Sequence, residues 1–407
     1  MRPMKRILWL LPLLLVTVIA AAPPALPSQG ATALSAFLKS ATDRGDVPGV
    51  VVAVVDKNGV LYNEAFGKSS TVKNTPMTKD TIFNIASMTK AITSAAIMQL
   101  VDEGKLKVDD EVGKYLPKWK DPQVISQFNE ADGTYETRPA KRQITIRHLL
   151  THTSGIGYGF SSPMLAKIIE KTKKNELDLP LLFDPGESWA YGASTRVLGL
   201  VVEAVSGQKI DAYLQARILG PLGMNDTSYL VPTTKYSRVV AVNARNASGK
   251  FEERPTPATI PATVQGDGGL FATASDYGLF LRMLLNRGTL NGKKILSEQS
   301  VKLMLEPATG NVVVKEQQSS NLALSKNFPV GAGKDKWGLG FQLAAEKQAN
   351  RRSPGSGTWA GIFNTHFFID PSRELGVVVM MQTLPFYDEA SMKVYAGAEE
   401  AVYSHVK

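Results

Sequence analysis

The 407-residue chain contains no cysteine and only four histidines. The missing thiols exclude disulfide frameworks, thiolate metal sites and cysteine nucleophiles, so any covalent catalyst here is Ser, Thr, Asp or Lys. Charge of one sign is also scarce: 46 basic and 37 acidic residues leave a formal +9 spread along the chain. The densest basic runs, residues 171–174 and 114–120, are short and read as solvated faces, which predicts no nucleic-acid partner. The single long apolar run, residues 7–19, is interrupted by Pro12 and Thr17 and falls short of the ~20 residues of a spanning helix. It follows basic Met1–Arg6 and precedes small Ala20–Ala22 and a proline-rich stretch, the organisation of a secretory signal peptide ending near residue 25. A periplasmic or secreted protein is therefore expected, touching a membrane only through an uncleaved signal segment. No G-x-S-x-G elbow, no G-x4-G-K-[ST] loop and no H-E-x-x-H is present. His148 and His152 are spaced i, i+4 but have no acidic third ligand nearby, so neither a metal nor an organic cofactor is expected.

What is present is an ordinary globular composition, 43% hydrophobic and 20% charged. The apolar spacing predicts a helix over 31–44, then β-branched strands over 50–55 and 60–66 joined by an Asn58-Gly59 turn. Residues 88–101 read as a helix buried on most sides. From Gly104 to Pro261 the pattern is helical and loop-rich, with short helices over 144–151, 164–173, 194–205 and 210–218. Helices over 274–286 and 297–305 follow, then strands over 337–344, 362–369 and 375–381 and a closing helix over 388–403. Strands at both ends and helices between predict an α+β fold. Its antiparallel sheet is built from both termini and flanked by helices, with an all-α subdomain inserted. The expected division is an α/β unit of 31–86 plus 275–407 and an α-rich unit of 87–274.

The pattern S-x-x-K occurs four times, at Ser70, Ser87, Ser206 and Ser404, and by itself separates nothing. Only Ser87-Met88-Thr89-Lys90 opens a buried helix. There the serine sits where unpaired amides and the helix dipole favour developing negative charge, and the lysine lies one turn on, on the same face. Desolvation disfavours an ammonium, so a lysine in an apolar helix can serve as a base toward the serine hydroxyl. The bland alternative is a capping serine and a lysine paired with a buried carboxylate.

Taken with Ile144-Thr145-Ile146-Arg147-His148-Leu149-Leu150-Thr151-His152-Thr153-Ser154-Gly155, the stretch Phe83–Lys90 resembles the serine β-lactamase and penicillin-binding-protein superfamily. Pro185–Tyr191, Leu198–Gly207, Pro221–Met224 and Gly268–Asp276 continue the match in order. Together they are similar to the branch holding class C β-lactamases, D-aminopeptidases and family VIII carboxylesterases, over roughly residues 34–383. The resemblance implies a serine β-lactamase/DD-peptidase fold with Ser87 as acylated nucleophile, Lys90 as its base partner and Tyr191 as the tyrosine exchanging protons with Ser87 and the leaving group.

Two departures bear on substrate. The usual Tyr-x-Asn is here Tyr191-Gly192-Ala193, without the amide that would bind a β-lactam side chain, and Ser194 comes one residue too late. The third motif corresponds to Trp359-Ala360-Gly361, similar to the Trp-Gly-Gly of family VIII esterases and without the cation that attracts a substrate carboxylate. The resemblance further implies an oxyanion hole from the backbone N–H groups of Ser87 and Ile362. His366 is the alternative base for Ser87. The expected function is a secreted serine hydrolase on small-molecule esters or amides, foremost a carboxylesterase on short-chain esters. The alternatives are a β-lactamase or D-amino-acid peptidase, and a non-turnover penicillin-binding-like receptor. The polar segments 117–142 and 312–335 are expected to rim the cleft.

Overall fold

The computed structural model describes residues 25–255, 260 and 263–406, so the predicted signal segment lies outside the described residues. At the centre is an eight-stranded antiparallel sheet, labelled in chain order β1 (Gly49–Asp56), β2 (Val60–Ser70), β3 (Thr75–Pro76), β4 (Lys336–Trp337), β5 (Gln342–Leu343), β6 (Gly357–Gly361), β7 (Thr365–Asp370) and β8 (Leu375–Met380). The spatial order is β4-β5-β6-β7-β8-β1-β2-β3, so the N-terminal strand β1 pairs with the C-terminal β8, Val51 opposite Met380 and Asp56 opposite Leu375. The sheet is thus assembled from both ends of the chain, as the sequence pattern predicts. At the β1–β2 turn, Asp56 Oδ1 accepts from the N–H groups of Asn58 and Gly59, both at 2.7 Å.

Side chains alternate across a strand, so an unbroken apolar run needs cover on both faces. In β1 the residues Val50, Val52 and Val54 pack with Leu34 and Leu38 of helix α1 (Ser28–Asp43) and with Val394 and Ala398 of the C-terminal helix Glu389–Tyr403. Val51, Ala53 and Val55 face the opposite layer, which contains α2 (Thr89–Asp102), α3 (Ser194–Ser206) and α4 (Ala274–Leu285). In α2 every residue from Thr89 to Leu100 is buried, which places this helix inside the molecule.

Three local readings are corrected. The Gly104–Pro261 block is not purely helical: it carries the hairpin Gln123–Phe128/Tyr135–Pro139 and the short strands Asn243–Arg245 and Phe251–Glu253. The segment 337–344 is not one strand, because Gly340, at φ 112°, turns the chain between β4 and β5. Nor is 362–369: Ile362 lies in the β6–β7 turn and the strand begins at Thr365. Short polar strands and Gly-centred turns carry too few periods to be read from spacing.

Candidate active site

Ser87 lies on a single 3-10 turn, Ala86–Met88, immediately before α2. The turn is fixed from several sides. The preceding Phe83 and Asn84 pair with Ala272 and Phe271 of the Gly-rich segment, Ile85 N–H donates to Leu270 O, and Tyr277 of α4 donates to Met88 O. Ala86 adopts φ 42° with its N–H bonded to Asn84 Oδ1, a strained left-handed backbone next to the serine. The extended match to Gly268–Asp276 is therefore structural support for the serine turn.

One helical turn on, Lys90 is 2% exposed, and its Nζ donates to Ser87 Oγ at 3.0 Å and to the backbone O of Asp267 at 2.7 Å. The Tyr191 hydroxyl, 104 residues away in sequence, donates to Ser87 Oγ at 2.7 Å. Trp359 Nε1 points at the same phenol oxygen from 3.4 Å, and the two rings tilt against each other with centroids 4.8 Å apart. Ser87, Lys90, Tyr191 and Trp359 thus converge, and two groups able to accept a proton stand on one serine oxygen.

Gly361 and Ile362 line the same cleft. β5 pairs β6 only as far as Thr358, so Trp359, Ala360 and Gly361 have an open outer edge. Ala344 N–H donates to Ser356 O, which fixes the parity of the antiparallel ladder: even-numbered residues of β6 turn their backbone groups toward β5. Continued to the end of the strand at Gly361, that alternation turns the backbone groups of Ala360 to the open edge, and Ile362, in the turn beyond, lines the same cleft as Ser87.

Phe160, Gln317, Ser325, Phe328 and Phe386 complete the lining, around about 30 Å³ of open space. Sequence reading missed these rim residues individually, because loop aromatics have no period. The segment 312–335 does contribute to the rim, whereas no residue of 117–142 lines this cleft. Two roomier concavities, of about 730 and 430 Å³, contain neither Ser87, Lys90 nor Tyr191.

The other singled-out residues are placed elsewhere. His366 pairs with Ala360 across β6–β7 and stacks on Tyr395 at 4.3 Å; it makes no hydrogen bond to Ser87, and burial with the nearby Arg352 charge pushes its ring down to about 3. A base for Ser87 it is not. His148 closes a capping box, its Nδ1 accepting from Thr145 N–H at 3.1 Å. His152 is buried between Trp189, Tyr191 and Trp337, and desolvation followed by the Lys90 charge holds it well below the usual imidazole range. Among the described residues no cluster of three or more His, Asp or Glu could hold a metal ion. Ser194 is committed to Ser154 at 2.8 Å, so it does not replace the absent amide. Behind Lys90 lies a second group that sequence reading missed: Tyr158 and Arg196, both hydrogen-bonded to the Asp267 carboxylate. Its visible signal was the lone acid in Gly266-Asp267-Gly268-Gly269.

The chain is similar to the monacolin J acid methylbutanoyltransferase of Aspergillus terreus, 29% identical and covering 91% of this chain and 94% of the relative. It is also similar to esterase EstB of Burkholderia gladioli, 28% identical over 87% and 90% of the two chains. Among solved structures, a LovD6 mutant of simvastatin synthase (LovD) from Aspergillus terreus superposes with a TM-score of 0.80 at 27% identity, covering 93% of this chain and 95% of that one. With the Beta-lactamase family model matching residues 34–401 and a Ser-Lys-Tyr cluster at the start of its buried helix, the chain belongs to the Beta-lactamase family and is an enzyme of the serine hydrolase or acyltransferase type.

Proposed function

We propose that the protein is an exported carboxylesterase acting on short-chain esters through a Ser87 acyl-enzyme, in the manner of family VIII esterases. The observation that carries this reading is the pair of contacts on Ser87 Oγ, from Lys90 Nζ at 3.0 Å and Tyr191 OH at 2.7 Å, inside a cleft walled by Phe160, Phe328, Trp359 and Phe386. In acylation, Ser87 Oγ attacks the ester carbonyl carbon while its proton passes to deprotonated Lys90 or Tyr191. The N–H groups of Ser87 and Ile362 receive the oxyanion, and the collapsing tetrahedral species expels an alcohol that takes the proton back. Water repeats the sequence on the acyl-enzyme, releasing the acid.

The lining of the cleft supports this substrate class. Among the described residues the cleft lining holds no arginine or lysine, Lys90 being buried behind Ser87, and the aromatic walls suit a neutral acyl group. The test is initial rates of the mature protein and Ser87→Ala on p-nitrophenyl butyrate and nitrocefin. Ser87-dependent ester turnover with little nitrocefin hydrolysis is expected; the reverse preference would make it a β-lactamase. Stable acylation without turnover would make it a receptor. Export is tested by N-terminal sequencing of the secreted product, with a start near residue 25 expected.

A further inference from the structure

Lys90 carries one hydrogen bond that acylation does not use, to the backbone O of Asp267 at 2.7 Å. Asp267 is 4% exposed, and a carboxylate so buried costs several kcal/mol unless it is paired. Here Oδ1 accepts from Arg196 Nε of α3 at 3.1 Å, and Oδ2 accepts a very short bond from the Tyr158 hydroxyl. Burial and then the Asp267 charge hold that phenol well above its usual range, so Tyr158 stays a donor. Its ring faces Lys90 Nζ from 5.4 Å and meets Tyr191 edge-on at 5.3 Å.

The loop bearing Asp267 is positioned as tightly as the carboxylate. A Cβ on Gly266 would lie 2.5 Å from Thr195 O and 2.8 Å from Gly199 Cα of α3, and Gly269 holds φ +102°. The glycines allow the approach to α3, and the carboxylate pegs the residue between α3 and the Tyr158 loop.

We propose that Asp267, Tyr158 and Arg196 are positioning residues that hold the Asp267 carbonyl on Lys90 and thereby aim the amine at Ser87. A neutral amine has two N–H groups and one lone pair. With one N–H fixed on Asp267 O, rotation about Cε–Nζ is restricted, and the neutral amine presents its lone pair to the serine proton, reversing the Nζ-to-Oγ donation seen in the structure. The inference rests on the Ser87 acyl-enzyme reading. Among the described residues, the ionisable and charged groups facing Lys90 are Tyr158 and Tyr191, His152, the Asp267 carboxylate and Arg196, itself paired with Glu176 at 3.3 Å.

These groups give the two variants opposite signatures. Asp267→Asn keeps the backbone carbonyl but removes a negative charge from the site, which moves the acidic limb of Ser87 labelling to lower pH. Tyr158→Phe strips the carboxylate of its phenol donor and leaves its charge less screened, which moves that limb to higher pH.

The experiment is the second-order rate of Ser87 phosphonylation by a fluorophosphonate, followed by intact mass against pH, on the full chain, Asp267→Asn, Tyr158→Phe and Ser87→Ala. It is accompanied by kcat and KM on p-nitrophenyl butyrate and by thermal melts. Expected is an acidic limb moved down by about one pH unit in Asp267→Asn and up in Tyr158→Phe. The ester kcat should fall about 10- to 100-fold with KM held within about twofold, because neither side chain lines the cleft. Unmoved limbs in folded variants, or limbs moving the same way, would overturn the proposal. Should Asp267→Asn not fold, the upward limb of Tyr158→Phe decides alone. No Ser87 labelling in the unsubstituted protein would overturn the acyl-enzyme reading itself, a result distinct from labelling with unmoved limbs.

Discussion

A Cβ placed on Gly361 would lie 2.4 Å from the carbonyl oxygen of Ile85, two residues before Ser87. β6 and the serine turn therefore touch backbone to backbone, and only glycine allows it. The second obstacle, Thr365 Oγ1 at 2.3 Å, is a side chain on a buried strand. Gly361→Ala should lower ester kcat at least about tenfold and cost about 1–3 kcal/mol of stability. Rates and urea unfolding of the same variant check both; a variant with unsubstituted rates would show that the two segments separate freely.

Trp359 reaches the Tyr191 oxygen only at 3.4 Å, a long contact that strengthens if the phenol becomes more negative during proton transfer. Trp359→Phe keeps an aromatic ring against Tyr191 and removes the donor. A fall in kcat of up to about tenfold with a near-constant melting temperature is expected, the worth of one hydrogen bond. A loss confined to KM would instead make Trp359 a substrate-packing residue.

Phe328 stands at the wall of the cleft, edge-on to Trp359 at 6.1 Å and packed with Phe386 at 5.2 Å. Phe328→Leu should enlarge the space beside Ser87 and raise the octanoate-to-butyrate ratio of kcat/KM by about tenfold. An unchanged ratio across acyl lengths would place the acyl chain elsewhere.

His366 ties stability to acid. Its folded-state ring is pushed down to about 3 by burial and by Arg352, against an unfolded value near 6.5. The neutral ring's contribution is intact above about pH 6.5 and is lost as pH falls toward 3, because the unfolded chain takes up the proton first. At about 1.4 kcal/mol per unit, His366→Gln should reduce the stability lost between pH 7 and pH 4 by about 3 kcal/mol. Urea titrations at the two pH values measure it; equal losses in both proteins would assign acid sensitivity to other groups, His148 included, whose ring is pushed down to about 4.

The sequence by itself determined the elements whose chemistry is local. The apolar run 50–55 specified a strand, Ser87-x-x-Lys90 at the opening of an apolar helix put a lysine one turn from a serine, and strands at the two ends specified a sheet shared between termini. These rest on periodicity and on one helical turn, which neighbouring residues fix. Tertiary structure alone decided what joins residues far apart. Tyr191 reaches Ser87 across 104 positions, Tyr158 reaches Asp267 across 109, and Phe328 and Phe386 meet at the cleft from separate loops. It also decided against His366 as a base for Ser87, because the ring packs on Tyr395 instead. Loop positions, and which neighbours a strand side chain meets, are set by packing between elements, and that packing leaves no period in the chain.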